Sequence, residues 1–256
     1  MKIAIVGYGK MGRIIEQIAR SEGHTITAVV DPFAADAPNG VQLCKTIADA
    51  ALDSADAAIE FTQPSTAAAN IIALAQRKIP TVTGTTGWHE RMGEVRRAVE
   101  EADCALLWSS NFSIGVNLFY RIAWYASELA NNFPEYDVGG FEAHHNKKLD
   151  SPCGTAKILA EGVLSKIERK KKIIWETLDR KPEPDEIHFP SLRMGSVPGQ
   201  HSLFFDSPAD TIEITHTARS REGFASGAVR AALWLTSQKR RGVFTIDEML
   251  KDILSI

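Results

Sequence analysis

Between Glu142 and Thr155 the chain reads Glu-Ala-His-His-Asn-Lys-Lys-Leu-Asp-Ser-Pro-Cys-Gly-Thr, which crowds two histidines and two lysines against the start of a helix. Histidine and lysine suit general acid work because a pocket moves their protonation equilibria toward neutral pH. Asp150 to Thr155 precedes a helical pattern over Ala156 to Ile167, so Gly154 and Thr155 present first-turn N–H groups to an anion, and a carboxylate fits there. Adjacent histidines in an extended segment point to opposite sides, so His144 and His145 take different tasks, one at the reacting centre and one at the anion. Lys148 adds a positive charge and a proton donor. A single histidine is more often structural, but the clustering with Lys147, Lys148 and Gly154-Thr155 favours a pocket for a small anion with proton-transfer groups beside it.

The first residues sharpen that reading. Lys2 to Val6 forms a buried strand running into Gly7-Tyr8-Gly9-Lys10-Met11-Gly12, which fits G-x-G-x-x-G. One glycine serves the tight turn, one lets backbone approach a pyrophosphate, and one lets helix and strand pack closely. The motif alone is weak. Its place after a strand and at a helix N-terminus, answered about 20 residues on by an acidic residue, Asp31, makes it a dinucleotide site. Asp31 should accept hydrogen bonds from the adenosine ribose and repel a 2′-phosphate, and Pro32-Phe33 follow it where an arginine would welcome that phosphate. NADH is therefore expected to be preferred, with Lys10 and Lys45 keeping NADPH possible. Gly84-Thr85-Thr86-Gly87, Ser109-Ser110-Asn111-Phe112 and Phe61-Thr62-Gln63-Pro64 each end a strand, where their backbone groups line the same crevice.

The elements that must position these residues fall into two patterns. Strands over Lys2 to Val6, Thr25 to Val30, Ala55 to Phe61, Thr81 to Thr83 and Cys104 to Trp108 alternate with helices over Lys10 to Glu22, Ser65 to Arg77 and His89 to Ala102. That alternation predicts a parallel sheet covered by helices. After Asn111-Phe112-Ser113 a long helix near Asn117 to Asn131 gives way to alternating strands, His201 to Asp206 and Thr211 to His216, joined by the turn Ser207-Pro208-Ala209-Asp210 as an antiparallel pair. Helices follow over Phe224 to Lys239 and Thr245 to Leu254, the latter with Thr245 and Glu248 at capping-box spacing. The expected fold class is α/β: a Rossmann-type dinucleotide-binding domain, 1–115 with 222–256, and an α+β substrate-binding domain on a mixed sheet, 116–221.

The 29 basic and 32 acidic side chains nearly cancel, so no long-range field gathers nucleic acid or an anionic membrane, and the expected partner is a small molecule. Cys44, Cys104 and Cys153 lack metal-ligand and disulfide spacing, so no metal is expected and a reducing cytoplasm is. The apolar start, broken by Gly7 and followed by Lys10 and Arg13, is too short for a signal peptide, and no apolar stretch is long enough to cross a bilayer. We expect a soluble, unprocessed protein. The basic run Arg169-Lys170-Lys171-Lys172 is expected to be the solvated end of a helix.

Together these segments resemble the 4-hydroxy-tetrahydrodipicolinate (dihydrodipicolinate) reductases over nearly the whole chain. The likeness rests on the glycine loop, Gly84 to Gly87, Asn111 to Asn117, His-His-x-x-Lys-x-Asp-x-Pro-x-Gly-Thr, and a later series that includes Arg193, Gly199, His201 and His216. The resemblance implies NAD(P)H-dependent reduction of a small cyclic dicarboxylate imine in diaminopimelate and lysine biosynthesis. It implies that His144 donates or accepts the proton, that Lys148 is a second donor, and that His145, Gly154 and Thr155 hold the substrate's carboxylates. It further implies cofactor contacts from the glycine loop, Asp31, Gly84 to Thr86 and Ser109 to Phe112, and a homotetramer joined through the second domain's sheet. The family commonly reads Ala-Pro-Ser-Gly-Thr where this chain has Ser151-Pro152-Cys153-Gly154-Thr155, so a thiol replaces a hydroxyl beside the anion site. A related amine or amino-acid dehydrogenase would fit the same two-domain frame. A silent NADH-binding sensor would need only the glycine loop and leaves the histidine–lysine cluster without a use.

Overall fold

Ile3, Ala4, Ile5 and Val6 are all buried in β1 (Lys2–Val6), a uniformly apolar strand of the kind that a sheet covered on both faces accommodates. In the computed structural model, which describes residues 1–255, β1 leads through the glycine loop into α1 (Lys10–Ser21). Gly12, Ile15 and Ala19 form the buried stripe of α1, at helical spacing. β2 (Thr25–Val30), β3 (Gln42–Cys44), β4 (Ala57–Glu60), α2 (Pro64–Gln76) and β5 (Thr81–Thr83) follow. The helix expected from His89 opens instead as a 3-10 turn, His89–Arg91, before α3 (Met92–Glu101) and β6 (Ala105–Trp108).

The second unit, Ile114–Ser220, begins with α4 (Ile114–Ala130). Its remaining elements are β7 (Asp137–His144), α5 (Gly154–Lys166), β8 (Lys172–Ile174), β9 (Glu186–His188), β10 (Ser191–Arg193), β11 (Gln200–Asp206) and β12 (Thr211–Thr217). A four-stranded sheet runs β10-β7-β11-β12, with β10 parallel to β7 and the other pairs antiparallel, which is the expected mixed sheet with its β11–β12 hairpin. Side chains alternate faces along a strand. Val138, Leu203 and Phe205 therefore share one face, where they join Phe119, Leu159 and Val163 of the covering helices in the unit's core. Farther along that same face the side chains become Glu142, His144 and His201, so the apolar core ends in an ionisable cluster.

The basic run at 169–172 corrects the sequence-based expectation. α5 stops at Lys166, and the next two basic side chains turn inward to satisfy backbone carbonyls, while Lys171 and Lys172 stay exposed. Arg169 donates to the carbonyls of Ala130 and Asn131 at the end of α4 and to Tyr136 O. Lys170, only 5% exposed, donates to Pro184 O and Glu186 O and pairs with Asp137 at 2.5 Å.

At Arg221 the chain returns to the first unit, Met1–Ser113 with Arg221–Ile256, through α6 (Glu222–Ser237), β13 (Gly242–Thr245) and α7 (Ile246–Leu254). The first unit's sheet has the order β13-β6-β5-β4-β1-β2-β3 and every pairing is parallel, as the alternating pattern predicts. The two outermost strands, β3 and β13, were not expected; each is an edge strand of three or four residues. The capping box at α7 is present: the Thr245 hydroxyl accepts from Glu248 N–H, and the Glu248 carboxylate accepts from Thr245 N–H at 2.7 Å.

Candidate active site

In the first unit the glycine loop is shaped by close contacts. Gly7 adopts φ +92, and a Cβ there would overlap the carbonyl of Phe61. Gly12 packs on the Gly7 carbonyl so tightly that any side chain would push α1 off β1. Gly9, the N-cap of α1, is different: nothing lies within 4 Å of where its Cβ would be, so an incoming phosphate can reach the backbone and the helix N-terminus there.

Two clefts meet at this loop. One, of about 530 Å³, is lined by Gly7, Gly9, Asp31, Phe33 and Lys45. The other, of about 450 Å³, is lined by Gly9, Lys10, Met11, Gly84, Thr85 and Thr86. Phe61 and Thr62 border both, so an elongated ligand can cross from one to the other over Gly9. Asp31 Oδ2 accepts from Tyr8 N–H (2.7 Å), while Oδ1 accepts from Phe33 N–H (2.8 Å) and Ala34 N–H (3.1 Å). The carboxylate thus fixes the loops on either side of the first cleft as well as facing it. Lys45 Nζ is held at the same rim by Ala34 O, 3.1 Å away.

Several of the expected residues turn their side chains away from both clefts. Tyr8 turns its ring into the fold, where its hydroxyl donates to Glu16 at 2.6 Å; burial and that carboxylate push its ionisation up to about 12. Ser109 and Asn111 tie their own loop together: the Asn111 N–H donates to Ser109 Oγ (3.0 Å), and Asn111 Oδ1 accepts from Ser113 N–H (2.9 Å). Phe112 is buried beside Phe61, its carbonyl against Gly227, and Ser110 is exposed. The side chains of these five residues line neither cleft: Tyr8 is turned toward Glu16, and the other four belong to the loop after β6.

In the second unit the ionisable end of the sheet is assembled by register. Glu142 and His144 are two apart on β7, and His201 of β11 lies directly opposite Glu142. Arg193 of β10 is the parallel partner of His144. Glu142 is fully buried and its carboxylate bonds His144 Nδ1 on one oxygen. The other oxygen accepts from Arg193 Nη2 at 2.8 Å and Cys153 N–H at 3.3 Å. Burial alone would raise the Glu142 pKa; the hydrogen bonds from His144 and Arg193 outweigh it and hold the carboxyl down at about 2. Burial, reinforced by the neighbouring His144, lowers His201 to about 4.

The loop after β7 carries the rest. Lys148 Nζ pairs with Asp150 at 2.8 Å, and hydrogen bonding to that ammonium overcomes burial to lower the Asp150 carboxyl. Cys153 caps α5, its Sγ accepting from Ala156 N–H at 3.3 Å; the helix starts two residues earlier than the pattern predicts, so that Gly154 and Thr155 open its first turn. His145 lies just beyond the strand, half-buried, with its Nδ1 buried and no hydrogen-bond partner among the described residues, while Lys147 is exposed. His144, by contrast, is buried on the cluster's side, so the two histidines do face different surroundings.

Sequence reasoning gave no task to Glu142, although its two-residue spacing from His144 on a strand is the signal that they share a face. Arg193 and His201 entered only through the family resemblance, since strand pairing across more than 40 residues leaves no local trace. The spacing of the cysteines likewise missed that Cys153 Sγ stands 3.2 Å from His201 Nε2, with His144 adjoining. Glu60 was missed in the first unit: a fully buried carboxylate ending β4, it bonds the hydroxyls of Thr62 and Thr83 under the second cleft.

Comparison with known proteins agrees with this architecture. Residues 1–112 match the family model described as Dihydrodipicolinate reductase, N-terminus, and residues 115–250 match Dihydrodipicolinate reductase, C-terminus. A 4-hydroxy-tetrahydrodipicolinate reductase of Christiangramia forsetii is 39% identical over 253 residues, covering 99% of each chain. A protein of the same name from Archaeoglobus fulgidus is 35% identical over 266 residues, covering 98% of this chain and all of its own. The solved structure of a dipicolinate-bound dihydrodipicolinate reductase from Paenisporosarcina sp. TG-14 shares the fold with a TM-score of 0.76 at 21% identity, over 96% of this chain and 97% of that one.

Proposed function

The chain belongs to the dihydrodipicolinate reductase family, and from that membership we propose how its residues divide the reaction. The protein is an NAD(P)H-dependent oxidoreductase that reduces 4-hydroxy-tetrahydrodipicolinate to tetrahydrodipicolinate in diaminopimelate and lysine biosynthesis. One observation carries the assignment of roles: His144 Nδ1 is bound to the buried carboxylate of Glu142, which stays ionised over the working pH range. An ionised carboxylate only accepts, so Nδ1 carries a hydrogen and Nε2 is the nitrogen that exchanges a proton with substrate. Glu142 is therefore a positioning residue and His144 the proton donor or acceptor. Gly199 supports this reading: it lies against Nε2 with φ +149, and any side chain there would crowd that nitrogen.

Lys148 is the second proton donor, its ammonium held in the loop by Asp150. His145 and the amides of Gly154 and Thr155 take the substrate's carboxylates, because a helix N-terminus supplies donors and positive potential to an anion. A dianionic ring explains why this end is rich in cations although the whole chain carries a formal charge of −3. In the first unit the open approach at Gly9 and the two adjoining clefts fit a dinucleotide, held by backbone of Gly7 to Gly12 and by Asp31, Gly84, Thr85 and Thr86. The loop from Ser109 to Phe112 is assigned to the carrier by the family resemblance. When bound, the nicotinamide supplies the hydride.

NADH is the preferred carrier on this reading, since Asp31 places a carboxylate where NADPH would bring its extra phosphate; Lys45 at the same rim keeps NADPH usable. The residues 1–115 with 222–256 serve the carrier, and 116–221 serve substrate and assembly. A homotetramer fits the second unit's sheet, whose edge strand β12 is largely exposed and whose Phe141 and Phe204 stack on the face away from its helices. Three free thiols suit the reducing cytoplasm. Among the described residues no helix is long and apolar enough to cross a membrane.

The test is steady-state turnover of His144→Gln and Lys148→Ala on the cyclic product formed by condensing pyruvate with aspartate semialdehyde, with NADH and with NADPH. Loss of a general acid costs about 10²–10⁴-fold, so kcat should fall in that range while NADH affinity is kept. Near-normal rates in both variants would remove these roles, and a clear NADPH preference of the wild type would overturn the carrier assignment.

A further inference from the structure

We propose that His144, Cys153 and His201 form a three-ligand site for a thiophilic divalent cation of the Zn²⁺ class, and that its occupancy switches the reductase off. The ligand atoms these buried residues offer all lie within 4.8 Å of one another. Cys153 Sγ and His201 Nε2 are already 3.2 Å apart. A tetrahedral Zn²⁺ with Zn–S of about 2.3 Å and Zn–N of about 2.0–2.1 Å sets its ligand atoms about 3.3–3.6 Å from each other. The widest pair therefore needs to close by at most about 1.5 Å to grip an ion at that spacing.

Two further features are those of a metal site. A histidine that binds a metal usually gives its other ring N–H to a carboxylate, which fixes the ring and raises its basicity. Glu142 does this at His144 Nδ1 and leaves Nε2 as the ligand atom. Cys153 sits at the N-terminus of α5, where burial raises its thiol pKa and the Ala156 N–H directed at its sulfur offsets part of that, so an incoming ion must itself displace the proton. Gly199 keeps the space in front of His144 Nε2 clear of any side chain. Binding exchanges the thiol proton for the ion: the S–H bond breaks, the sulfur keeps the electron pair and donates it to the metal, and one proton is released. The neutral imidazoles lose none. Three protein ligands leave a fourth position for water or a substrate carboxylate.

The inhibitory half rests on the reading of His144 as the proton-transfer group, because the ion takes the same Nε2 lone pair. The cation site itself does not depend on that reading, and neither does its test. The chelator-treated full chain is titrated with Co²⁺ as a spectroscopic probe and with Zn²⁺ by calorimetry, beside Cys153→Ser and His201→Gln variants whose folding is checked by circular dichroism. The expected result is one ion per chain, a thiolate-to-Co²⁺ charge-transfer band that Zn²⁺ displaces, and affinity reduced at least 100-fold in both variants. No such band at millimolar Co²⁺, or a band undiminished in Cys153→Ser and therefore owed to another thiol, would overturn the site. Turnover of the wild type should fall with Zn²⁺ over the same concentration range as binding and recover with chelator. Binding without that fall would keep the site and contradict both the switch and the role given to His144.

Discussion

The ligand-facing surface of the first unit is made largely of backbone, whereas that of the second is made of side chains. On the proposed assignment Gly7, Gly9 and Gly12 act through what they lack and the amides around them take the pyrophosphate, so that part of the carrier site lies within a six-residue stretch. In the second unit Glu142, His144, Arg193 and His201 come from three strands and meet because pairing register places them opposite one another. A backbone device tolerates exchange of the residues between its glycines but no added Cβ. A register-built device tolerates loop changes but depends on each ionisable partner, since a buried charge deprived of its partner is costly.

The comparison breaks most sharply if each end can be disabled alone. Gly9→Val places a branched side chain in the phosphate approach, and we expect NADH affinity to fall by about 100-fold or more, a loss of at least about 2.8 kcal/mol on the scale of 1.4 kcal/mol per decade. Dipicolinate binding to the second unit should survive, as titration of the variant would reveal. The complement is Glu142→Gln, which removes the acceptor charge behind His144. Removing an orienting carboxylate in the serine-protease triad costs about 10⁴-fold, and for a general acid we expect about 10–10³-fold in kcat, with KM for NADH unmoved. An unchanged kcat would mean that His144 does not need its partner.

A smaller effect appears in stability. The Glu142 pKa is depressed from its ordinary 4.5 to about 2 in the fold. Its contribution is therefore complete above the unfolded value and is lost as pH falls from about 4.5 toward about 2. Thermal melts across that window should show the wild type losing its advantage over Glu142→Gln, and parallel curves would contradict the ionised pairing. The smallest change is Thr245→Ala, which removes the cap of α7 and should cost about 1 kcal/mol in denaturant unfolding without altering either ligand's affinity.

The same contrast explains what was legible. Uniformly apolar β1 and the spaced glycines identified the parallel sheet and the dinucleotide end, since these signals are local. The edge strands β3 and β13 were missed, whereas the equally short β5 was read because it runs into the Gly84–Gly87 turn between two helical segments. Lys170 read as a solvated charge because no local pattern announces that Asp137, Pro184 and Glu186 will converge on its ammonium. His144 and Lys148 stood out by crowding, but the geometry that tells Nδ1 from Nε2 lies in strand pairing.

Nitrogen-15 NMR of the imidazole of His144 in the ligand-free protein, assigned by comparison with His144→Gln, reads that distinction directly. The account predicts that neutral His144 carries its hydrogen on Nδ1, directed at Glu142, and an unprotonated Nε2. A neutral ring protonated on Nε2 would contradict it.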